Sequence, residues 1–157
     1  MNAPHELLSP EELETCQSAV DVCPSFNLKK AARAVSRLFD EALQPAGLRS
    51  GQLVMLLNVA SSGEPTYSQL ARDLVMDNST IARSLRPLER EGLLEVVAGP
   101  DRRRKTVRLT SVGAERIRQA VPLWNRAMAE FSRSVGDADW KRTVGDLNGL
   151  LESVRGY

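Results

Sequence analysis

Three arginines, Arg83, Arg86 and Arg90, recur at spacings of three and four, the interval that stacks side chains along one helix face. Just ahead of them stand Asn78, Ser79 and Thr80, all small and able to hydrogen-bond. A guanidinium can grip guanine through two parallel hydrogen bonds, and a hydroxyl or amide can bond a base edge or a phosphate. A second basic run, Arg102-Arg103-Arg104-Lys105, follows shortly after. Alone, each run has an ordinary reading as a solvated helix face or a solvated loop. Side by side, they point to nucleic acid. Net charge is only +1, but residues 77–118 carry ten Lys/Arg against six Asp/Glu, while residues 1–27 carry five acids and no Lys or Arg. A local basic excess marks a contact surface better than the total does. Enzymatic chemistry is not expected. The sequence offers no nucleophile–base pair, no glycine-rich phosphate loop, and one histidine, His5, close to the N-terminus.

The elements around these residues predict how they are held. Leu70, Ala71 and Leu74 give residues 66–74 the apolar face of a short helix. Val75-Met76-Asp77 then makes a tight connection to a second helix over 78–91, with Ile81, Leu85 and Leu88 on its inner face. Two short helices joined this way form a helix-turn-helix, whose second helix lies in the major groove. Asn78, Ser79, Thr80 and Arg83 are therefore assigned to base edges, Arg86 and Arg90 to phosphates, and Ser68 on the first helix to the same contact set. Pro87 removes a backbone donor inside the reading helix, so a mild bend is expected. That bend either tilts the helix start into the groove or is merely tolerated. After Gly92 the apolar period changes to two, with Leu94 and Val96, then Val107 and Leu109, predicting two strands. The turn between them, 98–105, is a basic wing whose Arg102, Arg103 and Arg104 can reach a minor groove. Asp101 is expected to pair with Arg103 and orient the tip.

The flanks read as helices. Ser9-Pro10-Glu11-Glu12 has the form of a capping box, opening a helix to about residue 20. Pro24 blocks its continuation, and a strongly amphipathic helix is predicted over 28–43. Residues 49–60 are apolar nearly all round and belong inside the domain. Thr110 caps a long helix to about Val135, and a last helix carries the stripe Trp140, Val144, Leu147, Leu151 and Val154. The predicted fold is mostly α (α+β): a winged helix-turn-helix lobe with a two-stranded wing, flanked by N- and C-terminal helices that form a dimerisation lobe. One domain over 1–157 is expected, with the winged lobe at about 48–113 and dimerisation helices at 1–47 and 114–157. With 42% hydrophobic residues the chain can build one core, and with 4% aromatics that core must be Leu, Val and Ala. The longest apolar run, Leu53–Ala60, is broken by Asn58 and falls far short of the roughly 18–20 residues that span a bilayer. The first residues lack a basic and an apolar region of signal-peptide type, so a cytoplasmic protein without a membrane partner is expected.

The string EREGLLEVVAGPDRRRKTVRLTSVG resembles the hallmark of MarR-type regulators, the multiple-antibiotic-resistance regulator family. That pattern is L-E-x-x-G-L, a short strand, D-x-R, then L-T-x-x-G. Here it is met by Leu88, Glu89, Gly92, Leu93, Asp101, Arg103, Leu109, Thr110 and Gly113. The likeness is specific around residues 70–113 and extends less distinctively from about residue 25 to the end. It implies a winged-helix lobe, dimerisation through terminal helices, and operator binding, most often as a repressor released by an effector. By position, Ser79, Thr80 and Arg83 would read the major groove, and Arg103, with Asp101 behind it, would serve the wing. The partners implied are double-stranded DNA, a second copy of the chain, and a small-molecule, oxidant or metalloid effector, with no cofactor and no metal. Two-fold pairing places two reading helices about 34 Å apart, which selects a pseudo-palindrome.

Cys16 and Cys23 are the candidate entry points for a signal. Three readings stand together: small buried hydrophobes, a thiol switch of the kind one branch of the family uses for organic hydroperoxides, and capture of a soft metal or arsenite. The hydroperoxide branch surrounds its cysteine with tyrosines, and this chain has only Tyr67 and Tyr157. A non-covalent aromatic effector is compatible with all three. The competing class is a winged-helix protein-interaction module that never binds DNA.

Overall fold

A computed structural model describes residues 7–98 and 105–154. Its elements run α1 Pro10–Val22, α2 Pro24–Leu43, a 3-10 turn Gln44–Ala46, α3 Ser50–Ser62, α4 Tyr67–Asp73, α5 Asn78–Arg90, β1 Leu94–Ala98, β2 Lys105–Leu109, α6 Ser111–Val135 and α7 Asp137–Val154. This is the expected mostly α winged helix-turn-helix. The chain forms two compact units, Met1–Leu38 and Phe39–Tyr157, the boundary falling inside α2.

In the first unit, the predicted capping box closes. The Ser9 amide donates to Glu12 Oε2 at 2.7 Å, and the Glu12 amide donates to Ser9 Oγ at 3.3 Å. The bond from the Ser9 backbone, then that from its hydroxyl, holds the Glu12 carboxyl below the usual carboxylate range. The second helix starts at Pro24, four residues before the expected 28. Proline ends α1 because it restricts the residue before it, yet it suits a first helical position, where its missing N–H would be unpaired anyway. Asn27 secures the junction, its Nδ2 lying 3.0 Å from the carbonyl oxygens of both Asp21 and Cys23. No residue of α1 is buried.

The second unit is built around one core. Leu43, Leu56, Val59, Leu70, Ile81, Leu88, Leu93 and Val107 are fully enclosed. α3 supplies Leu53, Met55, Leu56 and Val59 to it, but Val54 and Leu57 stand exposed, so α3 is not enclosed all round as its composition suggested. Asp40 near the end of α2 accepts from both the amide and the hydroxyl of Ser50, each at 2.6 Å, and so fixes the start of α3. Between them the chain reverses at Gly47, whose φ of 65° lies in the left-handed region. Arg116 of α6 donates to the Ala46 carbonyl at 3.1 Å, tying that reversal to the long helix.

The hairpin is antiparallel with Leu94 opposite Leu109 and Val96 opposite Val107. Thr66 bridges to Thr106, and the Val107 amide donates to the Pro65 carbonyl at 2.9 Å. The start of α4 is thereby stitched to the wing's second strand. Thr110 then does two jobs: its hydroxyl reaches the Gly92 carbonyl at 2.6 Å, and its oxygen caps α6 by accepting from the Gly113 amide at 3.0 Å. Gly113 packs so closely on the Leu93 carbonyl that no Cβ fits there. The L-T-x-x-G string is thus the clasp that returns the hairpin onto the end of α5.

α7 buries nothing. Trp140 rests edge-on against Phe131 with centroids 5.0 Å apart, and Phe131 meets Phe39 at 6.3 Å. Val144, Leu150, Leu151 and Val154 remain exposed.

Candidate nucleic-acid interface

The reading helix has two opposed faces. Ile81, Leu85 and Leu88 are buried. At 100° per residue, Ser79, Arg83, Arg86 and Arg90 fall within about 50° of the opposite direction. All four are exposed, as is Asn78, while Thr80 is half-buried at the edge of the stripe. None of Arg83, Arg86 and Arg90 forms an ion pair with a described residue. A helix that spends one face on the core and leaves an uncompensated cationic stripe on the other is suited to a polyanion.

The helix start is organised by a residue the sequence reading passed over as part of the connection. Asp77 is the N-cap of α5, accepting from the Thr80 amide at 2.8 Å. The same carboxylate accepts from the Ser79 hydroxyl at 2.5 Å and the Thr80 hydroxyl at 2.7 Å. Arg83 in turn donates through Nη2 to Thr80 Oγ1 at 3.0 Å. The Ser79 hydroxyl, then the hydroxyl and the amide of Thr80, hold the Asp77 carboxyl far below the usual carboxylate range. The signal was available: Asp three residues ahead of Thr at a helix start is a common N-cap arrangement. An anion there also favours the positive end of the helix dipole, and Arg90 in the last turn favours the other.

Pro87 lies inside α5, which continues through it to Arg90, and the Pro87 carbonyl accepts from the Glu91 amide at 3.0 Å. Gly92 follows with φ 68°, the left-handed end expected there. The turn before α5 holds a surprise. Val75 has φ 52°, a conformation a β-branched residue rarely adopts.

Ser68 is exposed on α4, one position after Tyr67. Burial, then the nearby Glu89 carboxylate, raises the Tyr67 phenol above its ordinary pKa, with Arg86 opposing. On the wing, Arg108 pairs with Glu95 across the strands at 2.8 Å and with Glu64 at 3.4 Å. Solvent-screened pairs of this kind add little stability, but they align the hairpin with the loop before α4. The predicted wing-tip residues Asp101, Arg102, Arg103 and Arg104 lie outside the described residues.

Cys16 is exposed and Cys23 half-buried, so the reading of both as buried hydrophobes does not describe Cys16 in the single chain. For one chain to clamp an ion between them, a turn would have to bring the two thiols together. Instead α1 runs unbroken to Val22, and seven residues of helix put the two about 10 Å apart along the axis. A shared ion needs each sulfur within about 2.3 Å, so one chain alone does not clamp an ion between them. Among the described residues no group of three or more His, Cys, Asp and Glu is arranged to hold a metal ion, and no helix is long and apolar enough to cross a membrane.

Comparison with known proteins gives a consistent picture. Residues 49–113 match the winged helix DNA-binding domain family. The M. tuberculosis transcriptional regulator MosR, solved in complex with DNA, is 34% identical with a TM-score of 0.75, covering 85% of this chain and 98% of that one. A Thauera aromatica protein named as a transcriptional regulator for the hcr operon is 31% identical over 134 residues, 82% of this chain and 76% of the relative. A shorter match, 30% over 83 residues, joins 53% of this chain to the HTH-type transcriptional regulator YwoH of Bacillus subtilis, of which it spans 61%. MarR itself and a Rhodococcus regulator of the MarR family share the fold. With the helix-turn-helix, the hairpin and the Thr110–Gly113 clasp in place, the chain belongs to the MarR family of winged-helix transcriptional regulators.

Proposed function

We propose that the protein is a repressor that binds a pseudo-palindromic operator as a homodimer, with α5 in the major groove. The observation that carries this is the cationic stripe of Arg83, Arg86 and Arg90, opposite the buried face of α5 and without an ion pair among the described residues. Asn78, Ser79, Thr80 and Arg83 contact bases. Arg86 and Ser68 hold phosphates, and the wing residues Arg102, Arg103 and Arg104 follow the neighbouring minor groove, with Asp101 orienting the tip. MosR, solved with DNA, supports the assignment by likeness.

The dimer reading rests on apolar residues left uncovered. In the first unit Val20, Val22, Phe26, Leu28 and Leu38 are exposed, and in the second so are Leu150, Leu151 and Val154 of α7. Stripes of this size at both ends of a chain call for a second copy. The winged lobe at about 48–113 then reads DNA, and the helices of 1–47 and 114–157 pair. Release follows effector binding or modification of a cysteine. Cys16 offers an exposed thiol, and Cys23 sits at the junction that Asn27 closes.

A gel shift on the region upstream of the chain's own gene tests the reading. Retarded complexes that weaken with salt and are lost in Arg83→Ala and Arg103→Ala are expected. Salt-insensitive binding that survives both changes would leave a protein-interaction module instead. For the switch, operator affinity of Cys16→Ser and Cys23→Ser is compared with the parent, with and without peroxide or arsenite. Identical response in every arm removes the cysteines from the mechanism.

A further inference from the structure

Hydroxyl groups both donate and accept, so a serine or threonine at a reading-helix start is normally ambiguous. Here the ambiguity is removed. Asp77 is a carboxylate and can only accept, so the proton of Ser79 lies on its 2.5 Å bond to Oδ1, and that of Thr80 on its 2.7 Å bond to Oδ2. Arg83 can only donate, so its 3.0 Å contact occupies one lone pair of Thr80 Oγ1. Among the described residues nothing else donates to these oxygens, so Ser79, which is exposed, keeps two lone pairs and Thr80 keeps one. A base presenting an acceptor would have to pull a proton away from a charge-assisted bond, about twice as strong as a neutral one. A base presenting a donor needs no rearrangement. In the major groove those donors are the exocyclic amines, while guanine offers only acceptors and thymine an acceptor and a methyl group.

We propose that Asp77 is a positioning residue that fixes the Ser79 and Thr80 hydroxyls as acceptors, so that the start of α5 reads an exocyclic amine, adenine N6 or cytosine N4, in the operator. This rests on the assignment of α5 to the major groove made above. Asp77→Asn is the informative change because asparagine caps a helix as well as aspartate does. Its carbonyl oxygen keeps the bonds from the Thr80 amide and the Ser79 hydroxyl. Its Nδ2 replaces Oδ2, donates to Thr80 Oγ1, and releases the threonine proton outward. One atom is exchanged, and the polarity of Thr80 is inverted.

The experiment is selection of binding sites by the full chain from duplexes randomised in each half-site, followed by affinity measurements on the selected duplex. For the parent protein, adenine or cytosine is expected at a position facing α5, preferred by roughly fivefold or more. Replacing that base with purine or 2-pyrimidinone, which lack the amine, lowers affinity by a similar factor. Where Thr80 is the reader, Asp77→Asn loses the preference or moves it to guanine or thymine; Asp77→Gly, a tolerated helix cap that frees both protons, does so whichever oxygen reads. Thr80→Val, which removes the hydroxyl without touching the Asp77 cap to the backbone, and Ser79→Ala show which of the two oxygens reads the amine. The proposal is overturned if removing the amine changes nothing at any position, or if Asp77→Gly, which frees both hydroxyl protons, selects the parent's sequence. Specific binding in those cases leaves the DNA-reading assignment standing. Failure of the parent to select any sequence overturns both.

Discussion

The reading head and the terminal helices are built on opposite principles. In the head, Leu56, Leu70, Ile81, Leu88 and Leu93 have no exposed surface, while not one residue of α1 or α7 is buried. Both regions are helical and both carry apolar stripes. The head closes its stripe on itself, through three helices and a hairpin. The terminal helices leave theirs open. Apolar area removed from water stabilises at about 25 cal/mol per Å², so the head gains within one chain what the terminal helices leave ungained. Under the proposed dimer, this division gives a rigid reader and a linkage whose stability depends on a second copy.

The strongest way to break that contrast is to cut into the head. Leu85→Ala should cost about 2–5 kcal/mol in denaturant unfolding, whereas Leu151→Ala should change the concentration dependence of the midpoint more than the head's own stability. Equal costs would erase the distinction. Gly113→Ala comes next. A Cβ there collides with the Leu93 carbonyl and the Leu109 side chain, and a loss of about 1–3 kcal/mol is expected by the same measurement. On the other side of the contrast, Leu147→Asp with Leu151→Asp should yield monomers in sedimentation velocity at concentrations where the parent is dimeric, with helix content nearly kept. Persistence of the dimer would move the interface elsewhere.

A smaller effect tests the turn that aims α5. Left-handed backbone costs a non-glycine residue about 1–2 kcal/mol, and glycine gives back about 0.5–1 through the freedom it loses on folding. Val75→Gly should therefore raise thermal stability slightly, by under about 1 kcal/mol. A drop would mean that the exposed valine side chain contributes more than its strained backbone removes. The smallest effect concerns pH. Asp77 and Glu12 are both held below the ordinary carboxylate range. A depressed folded pKa gives stability that is present above the unfolded pKa and lost as pH falls through the folded one. Operator preference should accordingly be unchanged between pH 8 and pH 5, as read by binding at constant ionic strength.

Much of this was legible in the sequence because it is local. The Ser9 box, the Thr110 cap, the left-handed Gly92 and the inner face of α5 each depend on residues three or four apart. Asp77 was equally local and was missed because Val75-Met76-Asp77 was read as a bare connection. Pro24 was read only as a stop, although proline opens helices as readily as it ends them. Other features were beyond local pattern. Val75 carries no glycine to advertise its positive φ, and the exposure of Val54 and Leu57 depends on which neighbours α3 meets. Gly113 stood out as part of a motif, but its reason, the Leu93 carbonyl beside it, appears only when the hairpin is folded back. The stripe on α7 could be found, while what covers it is not written in the spacing of its own residues.

The stripe on α5 is expected to meet a polyanion and to read it. Fluorescence anisotropy of a labelled operator, titrated with protein over a range of salt concentrations, tests this most directly. A steep linear fall of log affinity with log salt is expected. Arg86→Ala should lower that slope by about one phosphate contact, and Arg83→Ala should narrow the gap between operator and random DNA. Binding with no salt dependence, or a gap untouched by Arg83→Ala, would contradict it.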